Sequence, residues 1–294
     1  VKGVHGQGLR LTGDDPVSLK DIGNFNRTQP FTIGLWMNTP MLLERAVIVR
    51  RSKAWSDAAS RGYELLLEDG KLSAALIHFY PGNAQRIRSK EILPIGEWHH
   101  LTMSYDGSSR AAGLQLYLDG ELLDTEVIRD KLTREITGGG DPFIALGQRM
   151  RDNGFKGGLV DELQIFDREL TPLEAAQLHD GKTLSELLIA VKEDDIVLPG
   201  KSTQQLRAYF LSSHQPHIDA LTALRKARDT KRAIQDKLTE IMVMQEMEEP
   251  RPAYLLERGV YDSRGEQVTA GTPAALPSFP KDQPNNRLGL AHWP

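Results

Sequence analysis

The sequence contains no cysteine among its 294 residues, and this absence removes several kinds of chemistry at once. Disulfide bonds, thiolate metal sites and cysteine nucleophiles are all excluded. The cellular compartment stays open, because a large hydrophobic core needs no disulfides in any location.

The chain also lacks an excess of positive charge and any long apolar run. Its 36 Lys and Arg residues face 40 Asp and Glu residues, for a net charge of −4. A general nucleic-acid binder usually shows a basic excess, so we expect no nucleic-acid partner. No apolar run approaches the roughly 18 residues of a membrane span, so none is expected. The length is sufficient for one large domain or two smaller ones.

The first 181 residues are rich in strand patterns. Apolar and polar residues alternate in about ten to twelve short runs, which favours an antiparallel sandwich or barrel. Asp69–Gly70 and Asp119–Gly120 separate pairs of such runs. Both residue types tolerate the positive φ of a type I′ turn, so each dipeptide predicts a hairpin.

A short helix is expected at the end of this region. Thr171 suits the N-cap, Pro172 the first helical position, and Glu174 completes a capping box. Gly181 is typical of the residue after a helix. We expect this helix to close one edge of the sandwich.

The character of the chain changes after Gly181. Short helical patterns are followed by a long one whose apolar residues recur every three or four positions, as on one stripe of a helix. The stripe comprises Ile218, Leu221, Leu224, Ala227, Ile234, Leu238 and Ile241. We therefore predict a domain over residues 1–181, a helical linker over 182–248, and a Pro- and Gly-rich extended segment over 249–294. The ends, at Val1 and in RLGLAHWP, are interpreted as those of a fragment from a longer polypeptide, with a processed N-terminus as the alternative for the front end.

Several motifs together indicate a family. The runs GQGLRLTGDD, FTIGLWMN, EWHHLTMSYDG, LYLDGELL and GGLVDELQIFDRELTPLEAAQLHDG follow one another in order. This series resembles the LamG-like, concanavalin A-like lectin/glucanase superfamily over about residues 3–181. The resemblance implies a mainly β fold, a two-sheet antiparallel jelly-roll sandwich, here followed by a helical and extended tail.

The tail carries a second resemblance. MVMQEMEEPRPAYLLERGVYDSRGEQVTAGTPAALPSFP and NNRLGLAHW look like the start of the C-terminal domain of large planctomycete proteins that contain a cytochrome c-like domain. This resemblance implies an exported multidomain protein, at the cell surface or in the periplasm. The present chain has no Cys-x-x-Cys-His motif, so we expect no haem in it.

Catalysis is not predicted for this chain. Glycoside hydrolysis needs two carboxylates about 5–9.5 Å apart. Glucanases of the family typically present them in an E-x-D-x-x-E pattern, which the sequence lacks. Asp161 and Glu162 are adjacent in a strand and therefore point to opposite faces.

Asp161 raises a separate question, because strand alternation aligns it with Leu159, Leu163 and Ile165 on the face expected to be buried. A buried carboxylate needs a partner. One solution is hydrogen bonding to backbone N–H groups or an arginine. The other is a structural Ca²⁺, which takes six to eight oxygen ligands. Because the family pairs its first and last strands, Asp14 and Asp15 are the predicted companions of Asp161 in such a site.

Sugar binding would need aromatic side chains and hydrogen-bonding groups on the loops or on a concave face. The candidates are Trp55 in the loop RRSKAWSDAASRGY, Tyr80 beside Pro81, and the polar stretch from Asn83 to Arg88. A Trp that folds back over the core is the alternative for Trp55.

Three functions follow from these residues. The leading hypothesis is a non-catalytic, lectin-like module that recognises carbohydrate within a larger exported protein. The second is a structural or protein-interaction domain that packs against a neighbouring domain of its own polypeptide and binds no glycan. The third is a glucanase-type glycoside hydrolase.

Overall fold

The chain forms two compact units, over residues 1–238 and 239–294. The structure is a computed structural model. It describes residues 1–54, 61–139, 141–192, 200–239, 241, 247, 249, 251–273 and 275–293.

The first unit contains two large antiparallel sheets, as predicted. The six-stranded sheet consists of β1 (Leu9–Arg10), β3 (Phe31–Asn38), β8 (His99–Tyr105), β9 (Leu114–Leu118), β10 (Glu121–Leu122) and β13 (Leu159–Phe166), in the order β1-β13-β3-β8-β9-β10. The seven-stranded sheet consists of β2 (Val17–Lys20), β4 (Arg45–Arg51), β5 (Gly62–Glu68), β6 (Lys71–Phe79), β7 (Asn83–Ser89), β11 (Thr125–Asp130) and β12 (Phe143–Leu146), in the order β11-β7-β6-β5-β4-β12-β2.

The core lies between these two sheets. Alternate residues of the central strands point into it, as the twofold period of a strand requires. Phe31, Ile33 and Leu35 of β3 meet Leu65 and Leu67 of β5 in one buried cluster. The sandwich arrangement therefore follows from alternation in both sheets.

Both predicted hairpins are confirmed. Asp69 and Gly70 join β5 to β6 with φ of 51° and 72°, and Asp119 and Gly120 join β9 to β10 with φ of 49° and 81°. The positive φ at both positions of each turn matches the twist of the flanking strands.

A β-bulge in β13 overturns the predicted orientation of Asp161. Val160 pairs with Met37 of the core, whereas Asp161 pairs with Trp36, and the register shifts before Gln164. Glu162 takes up the extra residue with φ of 47°. The bulge changes the parity of the strand, so Asp161 points away from the core even though Leu163 and Ile165 pack against it.

The amino-terminal segment nevertheless buries Asp161. Its carboxylate accepts hydrogen bonds from the backbone N–H of His5 at 3.0 Å and of Glu162 at 2.9 Å. Gly3 lies so close that a Cβ there would come within 2.3 Å of Asp161 Oδ2. Asp161 thus fastens the start of the chain to β13, which also pairs with β1.

The capped helix forms as predicted, as α1 (Pro172–Asp180). Thr171 and Glu174 make the reciprocal capping box, and Gly181 ends the helix with φ of 71°. The helix contacts the edge strand β10, as predicted, but it also extends over the sheet. Leu178 would contact a Cβ on Gly34, and His179 lies 5.4 Å from the Trp36 ring, so α1 covers the outer face of the six-stranded sheet.

Among the described residues of the first unit, α1 is followed by three more helices: α2 (Thr183–Lys192), α3 (Gly200–Ser213) and α4 (Gln215–Gln235). The apolar stripe predicted for α4 is only partly covered, because Leu224 and Ile234 are 44% and 60% exposed. Charged residues dock the helix instead: Arg232 pairs with Glu135 at 2.8 Å, and Asp229 accepts a hydrogen bond from Thr28. Within the described residues, no helix has the length and apolar character needed to cross a membrane.

The second unit contains a two-stranded hairpin and a short helix. The strands are β14 (Ala253–Leu256) and β15 (Arg264–Val268), and the helix is α5 (Arg287–Ala291). A cavity of about 800 Å³ lies among these elements.

Replacing Asp161 with Ala should lower the free energy of unfolding by about 1–3 kcal/mol, because two backbone donors lose a charged acceptor. A loss of this size lowers the melting temperature by about 2–4 °C per kcal/mol in a domain of about 200 residues. Thermal unfolding of the full chain measures it.

The neighbouring Glu162→Ala variant is the matched control, because Glu162 is exposed and its change should leave the melting temperature nearly unaltered. Equal effects of the two substitutions would contradict the role assigned to Asp161.

Candidate functional site

Six charged side chains, three of them buried and three half-buried, lie on the outer face of the seven-stranded sheet. Glu64 of β5 and Arg86 of β7 both lie opposite Ala75 of β6 in register, so they share the face that points away from the core. We call the group the charged ring. It runs through Arg45, Glu68, Arg86, Glu64, Arg149 and Asp152, and returns to Arg45.

The charged ring holds the carboxylate of Glu64 ionised. Burial by itself would raise the pKa of Glu64, but the guanidinium groups of Arg149 and Arg86 outweigh burial and lower the pKa to about 2. Arg149 is fully buried and also pairs with Asp152 at 2.6 Å. Because each carboxylate already has cationic partners, Glu64 is unsuited to donate or accept a proton in catalysis.

The sequence motifs gave no indication of this ring. Glu64 interrupts the apolar run YELLLE, which is a local signal of a buried charge. Its partners Arg86 and Arg149, however, are 22 and 85 residues away in the chain.

Two predicted ligand residues lie on the same outer face. The ring of Tyr80 is 4.7 Å from the Arg86 guanidinium and packs against Ala75, Ile77 and Ala84. Arg88 donates two hydrogen bonds to Glu126, at 3.0 and 2.8 Å. Both side chains thus have protein partners. Trp55, the third candidate, lies outside the described residues.

The fourth candidate, Asn83, lies at the end of the sandwich. Its Nδ2 donates to Thr133 Oγ1 at 2.7 Å, and its Oδ1 accepts from the backbone N–H groups of Thr133 and Arg134. Asn83 therefore fixes the loop that follows β11. Asn83 and Arg88 lie on the same strand, β7, and Tyr80 lies in the turn that precedes it, but each side chain has a different neighbour.

Asn83 also borders a cavity of about 530 Å³, which we call the end cavity. Its lining consists of Arg27, Thr28, Gly82, Asn83, Ser108, Ser109, Arg110, Asp130, Lys131, Leu132, Thr133, Arg228, Lys231 and Gln235. Strand-end loops supply most of these residues, and α4 supplies the last three. The end cavity is thus a joint between the sandwich and the helix.

Arginines hold this joint together. Arg27 donates to Ser109 Oγ at 2.9 Å and to Gln235 Oε1 at 2.8 Å. Arg134 donates to the backbone carbonyls of Gln235 and Leu238. Cations at the carbonyl end of a helix are stabilising, so these contacts fix where α4 ends over the cavity.

An exposed aromatic side chain stands beside the end cavity. Phe79, at the end of β6, is 49% exposed and pairs in register with Asn83. A Cβ on Gly82 would lie 3.8 Å from the Phe79 ring. Phe79 is not among the ligand residues predicted from the sequence.

The predicted metal ligands are not grouped. Asp14 and Asp15 are exposed, and each donates its own backbone N–H to Thr12 Oγ1, at 3.3 and 3.2 Å. No cluster of three or more His, Asp or Glu in the described part of the chain is placed to hold a metal ion. The carboxylate of Asp161 accepts hydrogen bonds from backbone N–H groups, which is the arrangement predicted as the alternative to a metal ion. Calcium binding stays a prediction, and melting with and without a chelator tests it.

A second cavity, of about 540 Å³, lies below α3 and α4 and contains Glu169. Desolvation by the surrounding protein raises the pKa of Glu169 to about 7, and the negative charge of Asp106 contributes to this increase. Glu169 keeps solvent exposure, which screens this interaction. It is the single carboxylate among the residues that line the cavity, whereas glycoside hydrolysis uses two.

Comparison with known proteins identifies a family. The Laminin_G_3 family model, described as concanavalin A-like lectin/glucanases superfamily, matches residues 11–176, more than half of the chain. No curated protein matches the sequence.

Solved structures with a similar fold include two binding domains. Ruminococcus gnavus IT-sialidase CBM40 bound to alpha2,3 sialyllactose is 15% identical with a TM-score of 0.48, and the match covers 59% of this chain and 96% of that one. The binding domain of Paraclostridial Mosquitocidal Protein 1 is 20% identical with a TM-score of 0.46. That match covers 62% of this chain and 45% of the toxin chain, so it spans less than half of the latter. At these sequence identities and TM-scores, the similarity to both structures concerns the fold alone.

Acid should weaken the charged ring in a defined pH range. The pKa of Glu64 is lower in the folded protein than its ordinary value of 4.5. The stabilisation that ionised Glu64 gives the folded state is therefore fully present above about pH 4.5 and is lost as the pH falls toward 2. Glu64→Gln should lower the free energy of unfolding by about 3–5 kcal/mol at neutral pH. The difference in this free energy between the variant and the wild type should become smaller as the pH is lowered.

Denaturant unfolding as a function of pH measures both effects. Glu126→Gln is the control, because its pair with Arg88 is more exposed and should contribute at most about 1 kcal/mol. A Glu64→Gln deficit that is unchanged at low pH would refute the assignment.

Proposed function

The chain belongs to the concanavalin A-like lectin/glucanases superfamily, and from this membership we propose that it is a non-catalytic binding module that recognises carbohydrate. The observation that carries the proposal is the end cavity together with the exposed Phe79, which neighbours Gly82 and Asn83 of the cavity lining. The cavity volume of about 530 Å³ lies within the range of about 300–1,000 Å³ common for small-ligand sites.

The chemistry around the end cavity suits a sugar. Hydroxyl groups of Ser108 and Thr133 and the amide of Gln235 belong to its lining and supply hydrogen-bonding partners for sugar hydroxyls. The exposed ring of Phe79 offers an apolar face to the C–H groups of a sugar ring. Loops held by a rigid sandwich are a common place for such recognition.

The carboxylates of the unit support binding without catalysis. Those of the charged ring are engaged with arginines, and Glu169 stands alone in its cavity. A hydrolase needs a pair on either side of one bond. We also propose, from the second resemblance of the sequence, that the module is part of a larger exported protein.

A second candidate function is docking onto a neighbouring domain of the same polypeptide. The observation that favours it is the exposed apolar surface of the helical region, where Ile234 and Leu238 are 60% and 61% exposed. Such residues commonly mark a contact surface when they are grouped.

A glycan array with the full chain should show saccharide binding that depends on Phe79. The Phe79→Ala variant should bind at least about tenfold more weakly, because loss of a stacking face removes about 1.4 kcal/mol or more. Trp55→Ala tests the loop Trp predicted from the sequence in the same assay.

Phe210→Ala is the matched control, since Phe210 is 59% exposed on α3, whereas Phe79 neighbours the lining residues Gly82 and Asn83. Absence of binding to every saccharide, or equal losses in the Phe79 and Phe210 variants, would overturn the proposed function.

A further inference from the structure

The end cavity has a charge opposite to that of the whole chain. Its lining includes five cationic side chains and one carboxylate, Asp130, whereas the chain as a whole carries a net charge of −4. The cations are Arg27, Arg110, Lys131, Arg228 and Lys231. They come from four separate parts of the sequence, with Arg228 and Lys231 both on α4, so no single basic run accounts for all of them.

Three of these cations have no partner among the residues that the structure describes. The side chains of Arg110, Lys131 and Lys231 are exposed and make no hydrogen bond or ion pair with the described part of the chain. Arg27 and Arg228, in contrast, have partners in the protein. Arg27 donates a hydrogen bond to Ser109 Oγ, and Arg228 donates one to the backbone carbonyl of Asp106. Arg110, Lys131 and Lys231 are therefore available to a ligand.

The nearby carboxylates are already engaged. Asp130 accepts the backbone N–H of Ala111 at 2.8 Å. Glu135 pairs with Arg232 and accepts three backbone N–H groups. Asp229 accepts from Thr28 and Arg232. Within the lining itself five cations face the one carboxylate Asp130, so an excess of positive charge remains there.

Uncompensated cations around one cavity repel one another, and an anionic ligand would remove that repulsion. A guanidinium group such as that of Arg110 binds carboxylate or sulfate with two parallel hydrogen bonds, and lysines add point charges. We infer that the end cavity binds an acidic saccharide, one that bears carboxylate or sulfate groups. The inference rests on the proposed function and names the ligand class of the same site.

Titration calorimetry with the full chain tests the inference. The probes are an oligogalacturonate, a chondroitin sulfate oligosaccharide, a neutral dextran oligosaccharide of the same length, and single-stranded DNA as a polyanion without the saccharide chemistry. The first two probes distinguish carboxylate from sulfate. At least one acidic saccharide should bind about tenfold or more tightly than dextran, and its affinity should fall as salt is added.

The double variant Lys131→Gln, Lys231→Gln should weaken binding of the acidic saccharide by at least about tenfold while folding normally, because both side chains are exposed. The matched control is Lys20→Gln, Lys226→Gln, which removes the same charge. Lys20 lies on β2, the sheet edge opposite β11, and Lys226 lies on α4 but is not among the residues of the cavity lining. The control should bind as wild type does.

The outcomes separate the two proposals. Equal binding of neutral and acidic saccharides, or equal behaviour of the two double variants while Phe79→Ala still weakens binding, would overturn the acidic ligand and leave the carbohydrate function standing. Absence of binding to any saccharide would overturn both. Binding of single-stranded DNA as tight as that of the best saccharide would overturn the assignment of the ligand to carbohydrates.

Discussion

The charged ring is the interaction on which the arrangement of this sandwich depends. Six alternating charges connect β4, β5 and β7 with the loop after β12, and Arg149 and Glu64 at its centre are fully buried. Breaking such a ring leaves an uncompensated buried charge, at a cost of about 3–5 kcal/mol. The ring also fills the middle of the outer face of the seven-stranded sheet, so a ligand there would have to displace ion pairs.

The consequence is that concave, accessible surface is found at the end of the sandwich. There α4 docks through charged and amide side chains, such as Arg232 with Glu135, and leaves the end cavity between itself and the strand loops. A polar joint tolerates solvent and cations, which an apolar interface would exclude. The same feature that holds the helix therefore explains how a basic cavity persists on an acidic chain.

Most of the fold was predictable because its signals are local. Alternation indicated the strands, Asp69–Gly70 and Asp119–Gly120 the hairpins, and Thr171 with Glu174 the capped helix. The site was much less predictable. Of the residues proposed from sequence, Asn83 lines the end cavity, whereas Tyr80 and Arg88 contact protein on the sheet. Arg110, Lys131 and Lys231 belong to no motif, because only the folded chain brings them to one cavity.

Asp161 shows where the two kinds of information divide. The sequence by itself determined that this carboxylate lies in the last strand of the sandwich and needs a partner. Only the tertiary structure decided which way it points, because a one-residue bulge at Glu162 reverses strand parity and the backbone N–H of His5 arrives from 156 residues away. Periodicity is a property of neighbouring residues, whereas bulges, ion-pair rings and cavities depend on contacts between distant ones.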